Sequence, residues 1–293
     1  MRAKTQIDQT AQRLAGIVGK IGANADPGRA EALRSFAREM LGRAPTDFFS
    51  GRSDSDLLEM VTALFELLEA TGPDELAVRV TQRADNGHAG SVEVIISDRP
   101  FVVDTLRQAL TAQGFEIRRE LHPVVVVDRD ESGAIHQIRD WTAPGGRTSL
   151  AYCEFEGHLN PEVVRSLEDD VRTSMADVRL ATDDFDRMLE QLDTIAEALR
   201  GVASGLQDRA DEIREVVEFL NWLKNGGFIF LGYREYDVMK SSSGLRMVGL
   251  TRGSGLGILR REEASSLWEP KPLEDLPPDL QARALFGPVL LVS

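Results

Sequence analysis

Gly253-Ser254-Gly255-Leu256-Gly257 is the stretch of this chain closest to a phosphate cradle. A glycine loop holds phosphate when it follows a buried strand end and opens a helix, so that bare backbone N–H groups face the anion. Here the third required glycine falls on Ile258, and the polar pair Thr251-Arg252 precedes the loop, so the spacing points to a structural turn. The histidines, His88, His122, His136 and His158, lie at loop or strand edges with no i, i+4 spacing and no cysteine pair to complete a metal site. Cys153 sits among alternating apolar residues, the pattern of a buried, inert thiol. Thr182-Asp183-Asp184 with Asp186 gathers carboxylates at a helix start, where they favour the macrodipole without any metal. Asp98, Arg99 and Asp104 are the best candidates for a role beyond structure, because they occupy a turn between strand and helix and the helix's first turn. A plainer reading stays open for them, with Asp104 capping the helix and Arg99 as its ion-pair partner.

The stretch from Ser91 to Ile117 must position those residues. Val92, Val94 and Ile96 alternate as in a half-buried strand. Asp98-Arg99-Pro100 stops the strand, since proline lacks the ladder donor and restrains its predecessor. Val103, Leu106 and Leu110 follow at helical spacing, Gly114 ends the helix, and Phe115 and Ile117 open a second alternating run. His122-Pro123 breaks that run, and Val124 to Val127 read as a strand buried on both faces. Ile135 and Ile138 continue the sheet, and Ala151, Cys153 and Phe155 share one face of a further strand. Val164, Leu167, Val171 and Met175 make a second helix, opened by Asn160-Pro161 as cap and first-turn proline. Val178 and Leu180 are expected to close the sheet. Two strand–helix–strand passes with a hairpin between them give a ferredoxin-like α+β sandwich, βαββαβ, over residues 89–181.

Residues 1–88 read as a helical bundle with stripes at Ile7, Leu14, Ile17, Val18 and Ile21, then Leu33 to Leu41, then Leu57 to Leu68. The first helix runs out at Gly22, and the third starts with Asp56 and Glu59 in capping-box spacing. Leu76, Val78 and Val80 form a short strand before an Asp85-Asn86-Gly87 turn. Residues 182–225 read as a helical connection of two helices. Residues 226–293 form a further α/β segment, entered by the strand FIFLGYREYDV, with Met247 to Leu250 pairing back. The chain stops at Val289-Leu290-Leu291-Val292-Ser293, the apolar centre of a strand, so it is expected to be a piece of a longer polypeptide.

The 34 basic and 48 acidic residues give a net charge of −14, which excludes a nucleic-acid surface built on counterion release and disfavours anionic membranes. No apolar run approaches the roughly 20 residues of a membrane span. MRAKTQIDQT lacks the apolar core of a signal peptide, and a single cysteine forms no intrachain disulfide, so a reducing cytoplasm is expected.

Asp98-Arg99-Pro100-Phe101-Val102-Val103-Asp104, then Trp222-Leu223 leading into Phe228-Ile229-Phe230-Leu231-Gly232-Tyr233-Arg234-Glu235-Tyr236, then Gly255-Leu256-Gly257-Ile258-Leu259, resemble one family in order and spacing. It is the N-terminal region of the large bacterial NAD-specific glutamate dehydrogenases. The resemblance implies a first ACT-type domain around Ser91, the start of a second ACT-like domain after Gly227, and a regulatory or oligomerisation role. Catalysis, which turns L-glutamate, NAD and water into 2-oxoglutarate, ammonia and NADH, belongs in that family to domains far C-terminal to such a region. NAD is thus implied for the full-length enzyme and no cofactor for this chain. Its implied partners are further copies of itself and an amino-acid effector. Ligand-binding ACT domains carry a glycine after the turn proline, where backbone approaches the ligand. Phe101 stands there, so Asp98, Arg99, Phe101 and Asp104 are ligand or interface candidates, and Tyr233, Arg234 and Glu235 interface candidates. The competing reading is a self-contained ACT-type amino-acid sensor; a nucleotide-binding enzyme built on GSGLG is the weakest.

Overall fold

Strand Ala89–Ser97 is buried on both faces for nearly its whole length, and the layering around it follows from that. The computed structural model describes residues 2–21, 26–82, 89–203, 205, 209–242 and 244–285. The Gly22 helix stop, the Asp85–Gly87 turn, His88 and the apolar terminus at Val289–Val292 lie outside the described residues. The chain divides into two compact units, Met1–Ala176 and Asp177–Ser293.

The first unit opens with helices α1 (Arg2–Lys20), α2 (Pro27–Gly42) and α3 (Asp54–Ala70). The Asp26 carboxylate caps α2 by accepting from the Gly28 and Arg29 N–H groups. Ser53 and Asp56 form the capping box of α3, at 3.1 and 3.0 Å, so the expected Asp56–Glu59 box gives way to one a turn earlier. Strands β1 (Ala77–Gln82) and β2 (Ala89–Ser97) follow, then α4 (Val102–Ala112), β3 (Glu116–Leu121), β4 (Val124–Arg129), β5 (Ile135–Asp140), β6 (Arg147–Glu156) and α5 (Pro161–Asp183). The Asn160 side chain caps α5 by accepting from Glu162 and Val163 N–H, each at 2.9 Å.

All strand pairings are antiparallel. β2 runs along one side of β6, from Ala89↔Glu156 to Ser97↔Thr148. β3 and β4, on either side of the His122-Pro123 break, share the other side. The order is β1-β2-β6-β4-β5, with β3 also on β6.

The closing strand expected at Val178 and Leu180 is replaced by helix, because α5 continues to Asp183. Val171, Met175 and Val178 are all buried at helical spacing, so the apolar stripe is satisfied without leaving the helix. The sheet position beside β2 is filled from upstream by β1. The edge strand of this sandwich therefore comes first in the chain, not last.

One face of the sheet sets Val92, Val94, Ala151, Cys153 and Phe155 against Leu106 and Leu110 of α4 and Leu167 and Val171 of α5. The other sets Ile95, Leu150 and Tyr152 against Phe36 of α2, Phe65 of α3 and Phe48. The N-terminal helices thus pack as a third layer on the sheet. Alternation along each strand divides its side chains between the two cores.

Two carboxylates lie on the face covered by the N-terminal helices. Glu93 and Glu154 are each 4% exposed, which is tolerable only with partners at hand. Arg79 Nε and Ser91 Oγ donate to Glu93 at 2.9 and 2.8 Å. Tyr152 donates to Glu154 at 2.7 Å, Arg119 at 3.2 Å, and Arg52 forms an ion pair with it. The Arg52 guanidinium lies 4.2 Å from the Phe48 ring centre, close to Glu154 but not aligned for a hydrogen bond.

Side chains also satisfy the outer edges of the sheet. Val80 N donates to Glu168 at 3.3 Å, and Val78 O accepts from Arg172 at 3.1 Å, both from α5. On β5, Ile138 N donates to Ser35 Oγ of α2 at 3.0 Å.

In the second unit, α6 (Phe185–Ala203) and α7 (Ala210–Trp222) meet through Leu192, Ala196, Val217 and Leu220. β7 (Gly232–Tyr233), β8 (Tyr236–Lys240), β9 (Arg246–Leu250), β10 (Leu256–Gly257), β11 (Lys271–Pro272) and α8 (Pro278–Leu285) complete it. β10 pairs with β7, and β9 lies between β11 and β8. The single strand expected from FIFLGYREYDV is interrupted at Arg234-Glu235. Among the described residues from 226 onward there are two small antiparallel sheets, with no α-helix between their strands.

Arg52→Ala should lower stability to urea by about 3–5 kcal/mol, the usual cost of stranding a buried charge. Glu154→Gln in the same background should recover part of it, since the amide still accepts from Tyr152.

Candidate functional site

The turn after β2 is held to β6 by a hydrogen bond from Asp98 N to Arg147 O, at 2.8 Å. Phe101 then stands at the N-terminus of α4 with φ 72° and ψ 0°, the only non-glycine residue with positive φ among the described residues. A Cβ in this left-handed region costs about 1–2 kcal/mol. The backbone therefore adopts the glycine conformation although the residue is phenylalanine, and its side chain is 38% exposed.

Ser149 Oγ of β6 donates to Asp98 at 2.6 Å, and His122 Nε2, from the break between β3 and β4, lies 3.3 Å from the same Oγ. Three segments thus meet at one hydroxyl. Partial desolvation of the ring lowers the His122 pKa, against the raising influence of Asp98 and Glu120, while the residue as a whole is exposed. Serine, histidine and aspartate here do not form a nucleophile. The serine proton is committed to the carboxylate, the histidine does not stand between them, and Ser149 is wholly buried. Arg99 Nε donates back to Ser97 O at 3.0 Å, and Asp104 pairs with Arg107 at 3.5 Å, which also pairs with Glu120. Ser149 and His122 were not legible as partners of Asp98, because they lie on other strands and meet it only through sheet register. Cys153 is 1% exposed, and burial, helped by Glu120, pushes its thiol up to about 12.

In the second unit, Tyr233 OH donates to Glu235 at 2.6 Å, and Glu235 N donates to Ser254 Oγ at 3.0 Å. Arg234 donates from Nε and Nη2 to Leu259 O at 3.1 and 2.6 Å, which makes it a brace between strand and loop. Tyr233 and Glu235 line a cleft of about 280 Å³ with Arg187, Gln191, Thr251, Arg252 and Ser254.

The glycine loop beside this cleft does bind anions, but they are the chain's own. Gly253 N and Gly255 N donate to the Glu262 carboxylate at 2.9 and 2.7 Å, and Gly257 N donates to Asp184 at 2.9 Å. Gly257 has φ 59°, and a Cβ there would overlap Leu231 O. Asp184 is 1% exposed and pairs also with Arg260 and Arg187. Burial alone would raise its carboxyl, but the Gly257 N–H and Arg260 outweigh burial and leave it below the ordinary carboxylate range. The Asp183-Asp184 cluster therefore does more than start a helix: Asp184 anchors the loop. Among the described residues no group of three His, Cys, Asp or Glu is placed to hold a metal ion, and no helix is long and apolar enough to cross a membrane.

A sheet covered on one face by α4 and α5 and opened by the tight strand–helix turn at Asp98–Phe101 has the layout of an ACT-type domain. Residues 36–171 match the family described as the glutamate dehydrogenase ACT1 domain. The chain is 27% identical over 246 residues to the NAD-specific glutamate dehydrogenase of Halomonas elongata, covering 81% of this chain and 15% of that protein. It is 30% identical over 239 residues to the NAD-specific glutamate dehydrogenase of Pseudomonas aeruginosa, covering 74% of this chain and 14% of that protein. The chain belongs to the NAD-specific glutamate dehydrogenase family as its N-terminal, ACT-containing region, and spans about 15% of the length of the relatives it matches.

Phe101→Gly should be more stable than Phe101→Ala by about 1 kcal/mol in thermal or urea unfolding, because only glycine relieves the left-handed backbone. An alanine variant of equal or greater stability would contradict the assigned conformation. The folded chain should leave Cys153 unlabelled by a thiol reagent at pH 8 while denatured chain labels fully, since the buried thiol keeps its proton.

Proposed function

We propose that the chain is a regulatory or oligomerisation region of a NAD-specific glutamate dehydrogenase and that it catalyses nothing by itself. The observation that carries this reading is the match over residues 36–171 to an ACT1 domain within a chain about one-seventh the length of its relatives. In the full-length protein, chemistry of the kind the relatives are named for, with NAD as cofactor, is assigned to parts outside this chain. The glycine loop supports that reading, since its N–H groups are occupied by Glu262 and Asp184 and offer no cradle to a dinucleotide.

An assembly role is supported by exposed apolar side chains in the second unit. Phe228, Ile229 and Leu231 are 43, 55 and 54% exposed, and Trp222, stacked on Phe219, meets Phe228 edge-on. Apolar surface of this kind fits contact with further copies or further domains of the same polypeptide. The segment from residue 226 is read, on the family resemblance, as the start of a second ACT-like domain, and the cytoplasm as the compartment. The stand-alone sensor reading is weakened by Phe101, whose side chain stands where ligand-binding turns use glycine.

With L-glutamate and NAD, the isolated chain should form no NADH above a blank. Deleting this region from a full-length relative should change its oligomeric state by sedimentation. Turnover by the isolated chain would sink the proposal, and an unaltered assembly after deletion would remove its oligomerisation arm.

A further inference from the structure

Side chains close outer hydrogen-bonding groups of the first unit's sheet, but one margin in the second unit is left open. β8 is the outer strand of the sheet in which β9 lies between it and β11. Its pairing with β9 is regular from Tyr236↔Leu250 to Lys240↔Arg246, with no bulge to turn it away. The phase of that ladder is fixed at both ends, by Thr251 N donating to Glu235 O at 3.0 Å and Ser241 N donating to Leu245 O at 2.8 Å. In an antiparallel ladder such pairs recur at every second residue. Asp237 and Met239 therefore turn their backbone groups to β9, and Tyr236, Val238 and Lys240 turn theirs outward. Among the described residues no strand pairs with that outer side, and the whole of β8 is exposed, Tyr236 and Val238 to 45% each. Edge strands are ordinarily shielded by proline, a bulge, charge or a covering element. β8 has no proline and no bulge, and its two charges, Asp237 and Lys240, cancel.

We infer that β8 is a docking edge for β8 of a second copy of this chain, the two strands running antiparallel about a two-fold axis at Val238. A two-fold axis between neighbouring antiparallel strands stands perpendicular to the sheet and relates a residue to its own copy, which leaves few registers. Centring on Asp237 sets two carboxylates opposite one another, and centring on Lys240 sets two ammonium groups opposite one another. Centring on Tyr236 or Met239 runs one end of β8 past the other. Centring on Val238 pairs Val238 with itself and Tyr236 with Lys240 of the other copy, so every outward N–H and C=O of both strands gains a partner. The same register brings a Lys240 ammonium beside a Tyr236 ring, a favourable cation–aromatic pair. In a chain of net charge −14, a strand of no net charge is a place where two copies meet without the repulsion that acts elsewhere. The inference deepens the oligomerisation reading above and rests on it, naming a surface and a register outside the ACT-type sandwich.

Sedimentation and thiol cross-linking on the full 293-residue chain test it. The chain should dimerise reversibly between micromolar and millimolar concentration, as small interfaces do. Val238→Pro removes an outward donor and none that is bonded to β9, and Val238→Lys sets like charges on the axis. Each should weaken dimerisation by at least about tenfold. Should the proline variant lose its fold, the lysine variant, at an exposed side chain, decides. Facing residues of a hydrogen-bonded antiparallel pair lie about 5.5 Å apart at Cα, within the range a disulfide spans. On mild oxidation Val238→Cys should therefore give a covalent dimer, whereas Tyr236→Cys and Lys240→Cys should do so only when the two variants are mixed. The native thiol of Cys153 is buried and does not compete. A monomer across the whole concentration range, dimerisation indifferent to both Val238 variants, or Tyr236→Cys cross-linking to itself as readily as Val238→Cys would each overturn the inference. The oligomerisation reading itself is decided separately, by the deletion experiment in a full-length relative.

Discussion

Two carboxylates under a layer of helices constrain the first unit more than any other interaction. Glu93 and Glu154 stand on neighbouring central strands, diagonal to one another in the register that pairs Glu93 with Tyr152 and Ser91 with Glu154. Like charges so placed repel, and both are cut off from water. The fold answers with cations from three places: Arg52 ahead of α3, Arg79 on β1 and Arg119 on β3. Each of those arginines must therefore lie where it does before the helices can close on the sheet. Burial of apolar surface gives the unit most of its stability, but the ion pairs determine which arrangement of layers can be dry.

Much of this sandwich was legible in the sequence. The alternation of Val92, Val94 and Ile96, the stop at Asp98-Arg99-Pro100, the stripe of α4 and the Asn160-Pro161 start of α5 all follow from local rules that act over one or two turns. What was not legible has a common cause. Val178 and Leu180 fit a strand by alternation, but Met175 and Val178 also extend the stripe of α5, and no local rule chooses between them. Glu93 and Glu154 alternate with buried residues, which is how a solvent-facing position reads, and only the position of the N-terminal helices makes them interior. Ser149 and Tyr152 became informative only through register. In the second unit the strand around Tyr233 was visible, but its interruption depends on Arg234 reaching Leu259 across 25 residues.

The two units treat backbone N–H groups in opposite ways. At Gly253, Gly255 and Gly257 the chain has built an anion-binding loop and filled it with its own carboxylates, which turns a recognition device into a fastening. At Phe101 it adopts a left-handed backbone that favours glycine and sets a large side chain on it. Such strain persists only where surrounding structure fixes it, and here Asp98 is bonded on both sides, through its N–H to Arg147 and through its carboxylate to Ser149.

The fastening of the sheet's margins has a consequence for growth and handling of the molecule. Glu168 and Arg172 of α5 occupy the outer hydrogen-bonding groups of β1, and Ser35 of α2 does so on β5. A strand from another molecule finds those groups of β1 and β5 already bonded, which disfavours pairing at those places. The same protection is conditional, because α5 is the last element of the sandwich to leave the ribosome. Until it docks, the outer backbone groups of Val78 and Val80 on β1 lack those partners.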